Sequence, residues 1–277
     1  MRIGCHMSVS KGFANMVQRA QGLGADVVQY FPKNPKSYRV KNFDAHALRQ
    51  EAQEAVVWGV DTVCHSPYVT NLATADPELQ KLSIASIVND LEIADAYNTP
   101  YLVVHCGKHV GQGEEKGQQL MIDATNAVLE HYKGQVMLLL ENTAGQGSEL
   151  GYSIDQLLAI WSGIEQKERV GVCFDTCHAF AGGVFAPDDW ETTVAELGRE
   201  EFRKLVKVVH LNDSKLQYAS QRDRHALLGD GEIGTANLAR FVKEGFFPTA
   251  PIIIETPVDK EEDYADEIRK VRDWLKD

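Results

Sequence analysis

Short apolar runs alternate along the whole chain with longer stretches whose apolar residues recur at helical spacing. Eight runs are rich in β-branched residues and predict strands at residues 2–6, 26–31, 61–65, 101–105, 136–141, 170–175, 206–210 and 251–255. Helical patterns lie between them, including Ala14 to Leu23, Ser83 to Tyr97, and residues 263–277. Eight such units in 277 residues predict one α/β domain, a (β/α)₈ TIM barrel covering residues 1–277.

An open, doubly wound sheet is the alternative architecture. Its nucleotide-binding form carries G-x-G-x-x-G after the first strand, and residues 7–13, MSVSKGF, do not contain it. Residues 229–234, GDGEIG, fit the letters of that pattern but follow DRHALL rather than a strand. We therefore interpret GDGEIG as a false match.

Most of the predicted strands end on a residue that can ligate a metal ion. All strands of a parallel barrel open at their carboxyl ends onto one face, so these side chains are expected to converge. Core packing would not select them, because buried imidazoles and carboxylates cost free energy unless they are paired or metal-bound. Six strands end on His65, His105, Glu141, Asp175, His210 and Glu255, and the first ends on His6.

Six ligands exceed what one tetrahedral ion with an open position needs, so two ions bridged by a carboxylate are expected, ~3.5–4 Å apart. His178 follows Asp175 by three residues, and Asp223 and His225 would face the same side of an extended segment. With these three, nine candidates suffice for three ions. Imidazole and carboxylate ligands suit zinc, and manganese shares them.

The cysteines do not form a second metal site in this interpretation. Cys173 and Cys177 flank Asp175, but the chain has no second close pair of cysteines to complete a structural zinc site. They are expected to be small core residues. The chain has five cysteines, an odd number, and no export signal or membrane-length apolar run, which favours the reducing cytoplasm and excludes a membrane anchor.

Composition is that of a globular protein, with 44% hydrophobic and 25% charged residues. The formal net charge of −12 argues against broad, nonspecific binding to nucleic acid, which is typical of basic domains. A local positive site built from bound cations remains compatible with that charge.

Five longer motifs resemble the signature blocks of the endonuclease IV family, the metal-dependent apurinic/apyrimidinic endonucleases of DNA base-excision repair. The resemblance runs from IGCHMS at the start to IIIETP near the end. The motifs are HSPYVTNLA (65–73), LLENTAGQGSELGY (139–152), GVCFDTCHAFAGG (171–183), VVHLNDSK (208–215) and DRHALLGDGEIG (223–234).

The resemblance implies three zinc ions and hydrolysis of the phosphodiester on the 5′ side of an abasic nucleotide, leaving a 3′-hydroxyl and a 5′-deoxyribose phosphate. It implies that Glu141 is the catalytic bridging ligand between the first two ions. By the family pattern, the first ion is held by His65 and His105, the second by Asp175, His210 and Glu255, and the third by His178, Asp223 and His225. Manganese at one or more of these sites is the alternative.

The resemblance also implies contacts with double-stranded DNA at the abasic site, by a monomer. Lys36 would contact phosphate, while Tyr68 and Val69 would wedge into the base stack. Family members often carry arginine and tryptophan where this chain has Lys36 and Tyr38. A lysine makes no bidentate contact, so the DNA contacts are expected to differ in detail while the chemistry is unchanged.

Two other functions fit a barrel of this kind. A sugar isomerase or epimerase would use fewer ions and would leave residues 223–225 without a role, and a metal-stabilised binding protein would lack catalysis. His6 and His109 lie at or just past strand ends, where a contact with a ligand or phosphate and a structural role are both open.

Overall fold

The predicted TIM barrel is confirmed. The computed structural model describes residues 1–276 and contains a closed parallel barrel in the order β1-β10-β7-β6-β5-β4-β3-β2. Because β1 pairs in parallel with both β2 and β10, the barrel sheet has no free edge. Its strands are β1 Ile3–His6, β2 Val27–Tyr30, β3 Asp61–His65, β4 Tyr101–His105, β5 Met137–Glu141, β6 Val170–Asp175, β7 Val206–His210 and β10 Ile252–Ile254. Two short strands outside the barrel, β8 Asp213–Ser214 and β9 His225–Ala226, lie between β7 and β10 in the chain.

The helices surround the barrel and connect its strands. They are α1 Phe13–Gly22, α2 Ala45–Ala55, α3 Pro77–Ala96, α4 Glu114–His131, α5 Ile154–Gly163, α6 Thr176–Ala181, α7 Trp190–Leu197, α8 Glu200–Leu205, α9 Gly234–Glu244 and α10 Tyr264–Trp274. The helix α3 begins six residues before the predicted Ser83, because the Asp76 carboxylate accepts from the backbone N–H groups of Glu78 and Leu79 and Pro77 occupies the first turn. No helix within residues 1–276 has the length and apolarity to cross a membrane.

Alternate residues of the barrel strands point into its interior, where they form a separate apolar layer. This layer consists of Val27, Val63, Val103, Leu139, Cys173, Val208 and Ile253. At the same level β1 has Gly4, where a Cβ atom would lie 1.6 Å from the Val27 carbonyl oxygen. Because side chains repeat every second residue along a strand, the residue two positions after each of these points into the barrel mouth.

The GDGEIG segment wraps around a buried carboxylate of the protein itself, that of Asp213. A Cβ atom on Gly231 would lie 2.5 Å from Asp213 Oδ1, so this approach requires glycine. The Asp213 carboxylate accepts from the backbone N–H groups of Ser214, Gly229, Gly231, Ile233 and Gly234 at 2.8 to 3.3 Å. The loop therefore holds the chain's own anion, which agrees with the rejection of a nucleotide fingerprint.

Replacing Asp213 with alanine is expected to lower the free energy of unfolding by about 3 kcal/mol or more, because several buried N–H groups lose their acceptor together. Urea denaturation of the purified variant measures this. Asp230→Ala in the same loop is the matched control, since Asp230 is exposed. Equal stability of the Asp213 and Asp230 variants would show that the N–H groups are satisfied without the carboxylate.

Candidate metal centre

One polar side chain from each barrel strand, or from the residue just after it, forms a layer at the carboxyl end. The members are His6, Gln29, His65, His105, Glu141, Asp175, His210 and Glu255, each two residues after a position of the apolar layer or after Gly4. Two predicted strand ends differ: β2 stops at Tyr30, and Glu255 lies one residue beyond β10. Gln29 was missed because the predicted second strand ended on Phe31; its spacing of two from Val27 would have identified it.

Glu141 lies at the centre of this layer and is fully buried. Its Oε2 atom is 3.1 Å from His65 Nε2 and 3.1 Å from His105 Nε2. Its Oε1 atom is 2.9 Å from His210 Nδ1. Burial alone would raise the pKa of Glu141, but the His210 and His105 charges and hydrogen bonds outweigh it and hold that pKa well below its usual range. The two carboxylate oxygens thus face two different groups of ligands.

The second group consists of His210, Glu255 and Asp175 beside Glu141. His210 Nδ1 is 3.1 Å from Glu255 Oε2 and 3.9 Å from Asp175 Oδ2. Asn212 positions both acids, because its Nδ2 donates to Asp175 Oδ2 at 2.6 Å and its Oδ1 accepts from the Glu255 backbone N–H at 2.8 Å. Burial opposes ionisation of Glu255, but the neighbouring His210 holds its pKa far below the usual range.

The third group joins α6 to the short antiparallel pair of β8 (Asp213–Ser214) and β9 (His225–Ala226), which the sequence did not predict. Asp175 caps α6, and its Oδ1 accepts from the His178 backbone N–H at 2.7 Å. His178 Nδ1 lies 2.9 Å from the Asn142 carbonyl oxygen, to which it donates, leaving Nε2 3.3 Å from Asp223 Oδ2. His225 Nε2 is 3.2 Å from Asp223 Oδ1.

These contacts divide the nine predicted ligands into three groups, and Glu141 belongs to the first two. Within each group, one ligand atom per residue lies within 4.8 Å of all the others. The groups are His65, His105 and Glu141; then Glu141, Asp175, His210 and Glu255; and then His178, Asp223 and His225. The structure therefore brings all nine predicted ligands together at the barrel mouth.

One nitrogen of the cluster is left free to bind a cation. Among residues 1–276, the buried His225 Nε2 atom has no hydrogen-bond partner, although Asp223 Oδ1 is only 3.2 Å away. Such an orphaned nitrogen is costly unless something else binds it. Glu141 and Asp175 are both fully buried, and charges of this kind are normally paired or metal-bound. The donor set of imidazole nitrogens and carboxylate oxygens thus fits zinc.

The two cysteines beside Asp175 are buried thiols. Cys173 belongs to the apolar layer inside the barrel, one layer below the mouth, and Cys177 lies in α6. The sulfur of each lies close to two potential ligands, that of Cys173 to Glu141 and His210, and that of Cys177 to Asp175 and His225. Burial raises the pKa of both thiols to about 12, so they are protonated and poor ligands near neutral pH.

His6 and His109 occupy different environments. His6 lines the cavity at the barrel mouth, and burial lowers its pKa to about 4 despite the nearby Glu255 charge, so the ring is neutral. His109 lies in the β4–α4 loop, where its Nδ1 accepts from the Gly113 backbone N–H at 3.1 Å. His6 is therefore available at the site, whereas His109 has a structural contact.

The predicted DNA contacts lie on two loops beside the cluster. Lys36 is exposed on the β2–α2 loop, and Val69 is half-buried on the β3–α3 loop. Tyr68 is 62% exposed, and its ring centroid lies 6.1 Å from that of His65. The Tyr68 backbone N–H donates to the Pro35 carbonyl oxygen at 3.0 Å, which links the two loops.

A cavity of about 410 Å³ opens above the cluster. Tyr68, Arg224 and Tyr264 line it together with seven of the nine predicted ligands and His6. A larger cavity, about 520 Å³, lies at the opposite end of the barrel, but its two charged residues, Arg2 and Asp61, pair with each other. The smaller cavity is the candidate active site, since it combines space with ligands, and TIM-barrel active sites lie at the carboxyl end.

The fold and this cluster define the class of protein: residues 17–277 match the family model described as the xylose isomerase-like TIM barrel. Solved neighbours include a D-tagatose 3-epimerase-like protein, 18% identical with a TM-score of 0.73, covering 100% of this chain and 97% of that one. At that identity the likeness concerns the fold alone.

Within this class the chain belongs to the endonuclease IV family and is a nuclease. It is 46% identical to a protein of Symbiobacterium thermophilum named "Probable endonuclease 4", over 99% of this chain and 100% of that protein. A Chloroflexus aurantiacus protein of the same name is 41% identical over 96% of this chain and 94% of its own length. The crystal structure of endonuclease IV from Thermus thermophilus is 33% identical, with a TM-score of 0.85 over 100% of this chain and 99% of that one.

Proposed function

We propose that this nuclease acts on double-stranded DNA at abasic sites. It hydrolyses the phosphodiester on the 5′ side of the abasic nucleotide and leaves a 3′-hydroxyl and a 5′-deoxyribose phosphate. The observation that carries the proposal is the set of three ligand groups beneath one cavity, joined through the two oxygens of Glu141. An epimerase would not need the third group, His178, Asp223 and His225.

In this proposal each ligand group holds one zinc ion, with manganese at one or more sites as the alternative that elemental analysis distinguishes. Zinc held there would supply Lewis acidity, which can activate water near neutral pH and neutralise phosphate charge. Glu141, whose two oxygens face the first two ligand groups, would hold both of their ions and is the proposed catalytic residue. The four carboxylates of the cluster carry −4 and three divalent cations carry +6, so a protein with net charge −12 presents a positive site to DNA.

The remaining residues around the cavity bind and orient the DNA. Tyr68 lines the cavity, where its phenol hydroxyl can donate a hydrogen bond to the DNA. Tyr68 and Val69 are proposed to fill the gap in the base stack, and Lys36 to contact a phosphate. The cysteine thiols are too buried to act as nucleophiles.

The test is incision of a duplex that contains one tetrahydrofuran abasic analogue, with an undamaged duplex of the same sequence as control. Zinc-loaded protein is expected to cut only the first duplex, on the 5′ side of the analogue, leaving a 3′-hydroxyl that a polymerase extends. Metal analysis is expected to find about three ions per chain. An intact abasic strand with fully loaded protein would overturn the proposal, and one or two ions per chain would favour sugar chemistry.

The proposal includes a monomer in the cytoplasm. All five cysteines are free and buried in the structure, in keeping with a reducing compartment. Light scattering of the purified protein tests the monomer directly.

Replacing Lys36 with alanine is expected to weaken binding of both damaged and undamaged duplexes and to reduce the salt dependence of binding by about one phosphate contact. Binding titrations at several salt concentrations measure the slope. Lys133→Ala is the matched control, because Lys133 is an exposed lysine before β5, at the opposite end of the barrel. If the salt dependence of binding were unchanged in the Lys36 variant, Lys36 would not contact a DNA phosphate.

A further inference from the structure

Gln29 is a fully buried amide in the ring of polar side chains at the barrel mouth. Its Nε2 atom lies 2.5 Å from Glu255 Oε1 and 3.1 Å from His6 Nδ1. Its Oε1 atom lies 2.8 Å from His210 Nε2. One side chain on β2, a strand that contributes no predicted ligand, therefore contacts two predicted ligands and a third residue of the site.

The orientation of this amide follows from its partners. A carboxylate only accepts hydrogen bonds, so the atom facing Glu255 Oε1 at 2.5 Å is the amide nitrogen. The amide oxygen consequently faces His210 and accepts its Nε2–H. The opposite orientation would place two oxygens at 2.5 Å and leave the His210 contact without its acceptor.

This orientation determines which atom of His210 is available for a metal ion. With the proton on Nε2 engaged by Gln29, the other ring nitrogen, Nδ1, lies 2.9 Å from Glu141 Oε1 and 3.1 Å from Glu255 Oε2. Without a metal, a proton on Nδ1 faces these two carboxylates, and a cation that takes the proton's place would bind the Nδ1 lone pair. The second hydrogen of the amide nitrogen faces His6 Nδ1, which leaves the proton of a neutral His6 on Nε2.

We propose that Gln29 is a positioning residue of the metal centre, which selects the Nε2–H tautomer of His210 and holds Glu255 in place so that both present their free atoms to one ion. The inference rests on the proposed function and deepens it. Partners of this kind, which contact the ligands rather than the metal, orient imidazoles and raise metal affinity.

The experiment compares zinc affinity in the wild-type chain and in Gln29→Met, which keeps the length of the side chain but neither donates nor accepts. Competition with a chromophoric chelator measures the affinity of each bound ion. Gln156→Met is the matched control: Gln156 is also a buried amide with two hydrogen bonds, from the Gly151 N–H and to Glu114, but it touches no predicted ligand. Gln29→Asn, which withdraws the amide by one methylene, serves if Gln29→Met does not fold.

We expect one ion of the folded Gln29 variant to bind about 10- to 100-fold more weakly, and the control variant to bind like wild type. In wild-type protein labelled with ¹⁵N-histidine, NMR is expected to show His210 protonated at Nε2. Wild-type affinity in a folded Gln29 variant, an equal loss in the control, or a proton on Nδ1 of zinc-loaded His210 would overturn the inference. A wild-type chain that binds no metal would instead overturn the proposed function.

Discussion

Replacing Glu141 with glutamine is expected to lower the rate of incision by about a thousandfold or more, while affinity for the abasic duplex changes far less. Glutamine keeps the shape of the side chain, but its amide nitrogen cannot ligate in the place of one carboxylate oxygen. Because Oε1 and Oε2 of Glu141 face separate ligand groups, this single change affects both. Single-turnover incision and binding titrations separate the two effects.

Glu267→Gln is the control for the loss of a buried carboxylate as such. Glu267 is buried and accepts from the Leu228 backbone N–H at 2.9 Å, away from the ligand groups. It is expected to alter stability with little effect on the rate per folded molecule. Undiminished incision by Glu141→Gln would show that Glu141 does not bridge.

Removal of the metal is expected to abolish incision and to lower the melting temperature by an amount that increases between about pH 6.5 and pH 9. Without metal, burial lowers the pKa of His225, but the carboxylates of Asp223 and Asp175 outweigh burial and raise that pKa to about 9. Burial and the same two carboxylates act on His178, and its pKa is raised well above its usual value. A raised histidine pKa stabilises the fold fully below about 6.5 and loses that contribution as pH rises through the folded value.

The contribution of bound metal to stability changes with pH in the opposite direction. Protons compete with zinc for the same imidazoles, so zinc binds more strongly as pH rises. Asp90, whose pKa burial raises to about 7 against the effect of Lys33, titrates in both forms and cancels in the difference. Calorimetric melting of chelator-treated and zinc-loaded samples across this range provides the measurement. If the difference in melting temperature between the two samples decreased toward pH 9, His178 and His225 would not bind metal.

Most of the fold could be predicted because its signals are local. The run of residues 137–141 is apolar and ends on Glu141, which indicates both a buried strand and an unusual polar end without knowledge of its neighbours. The boundaries were less accurate at β2 and α3. At α3 the helical periodicity of apolar residues is weak, because buried polar residues such as Ser83 and Asn89 interrupt it. The start of this helix is defined instead by the cap at Asp76.

The candidate site was predictable as a set of residues but not as a geometry. The sequence shows that Asp175 and His178 are three residues apart; the structure shows that Asp175 caps α6 and thereby directs His178 toward Asp223. Neither the pairing of β8 with β9 nor the set of N–H groups around Asp213 has a local signal, since, apart from Ser214, the partners are 11 to 21 residues apart in the chain.

By itself the sequence determined the eight strands, the polar residue that ends most of them, and the family, because alternation, strand-end chemistry and long motifs are properties of neighbouring residues. Only the tertiary structure decided that Glu141 faces two ligand groups at once and that Gln29 lies between Glu255 and His210. These contacts depend on the closure and register of the barrel, in which residues 226 and 181 positions apart in the chain meet at one mouth.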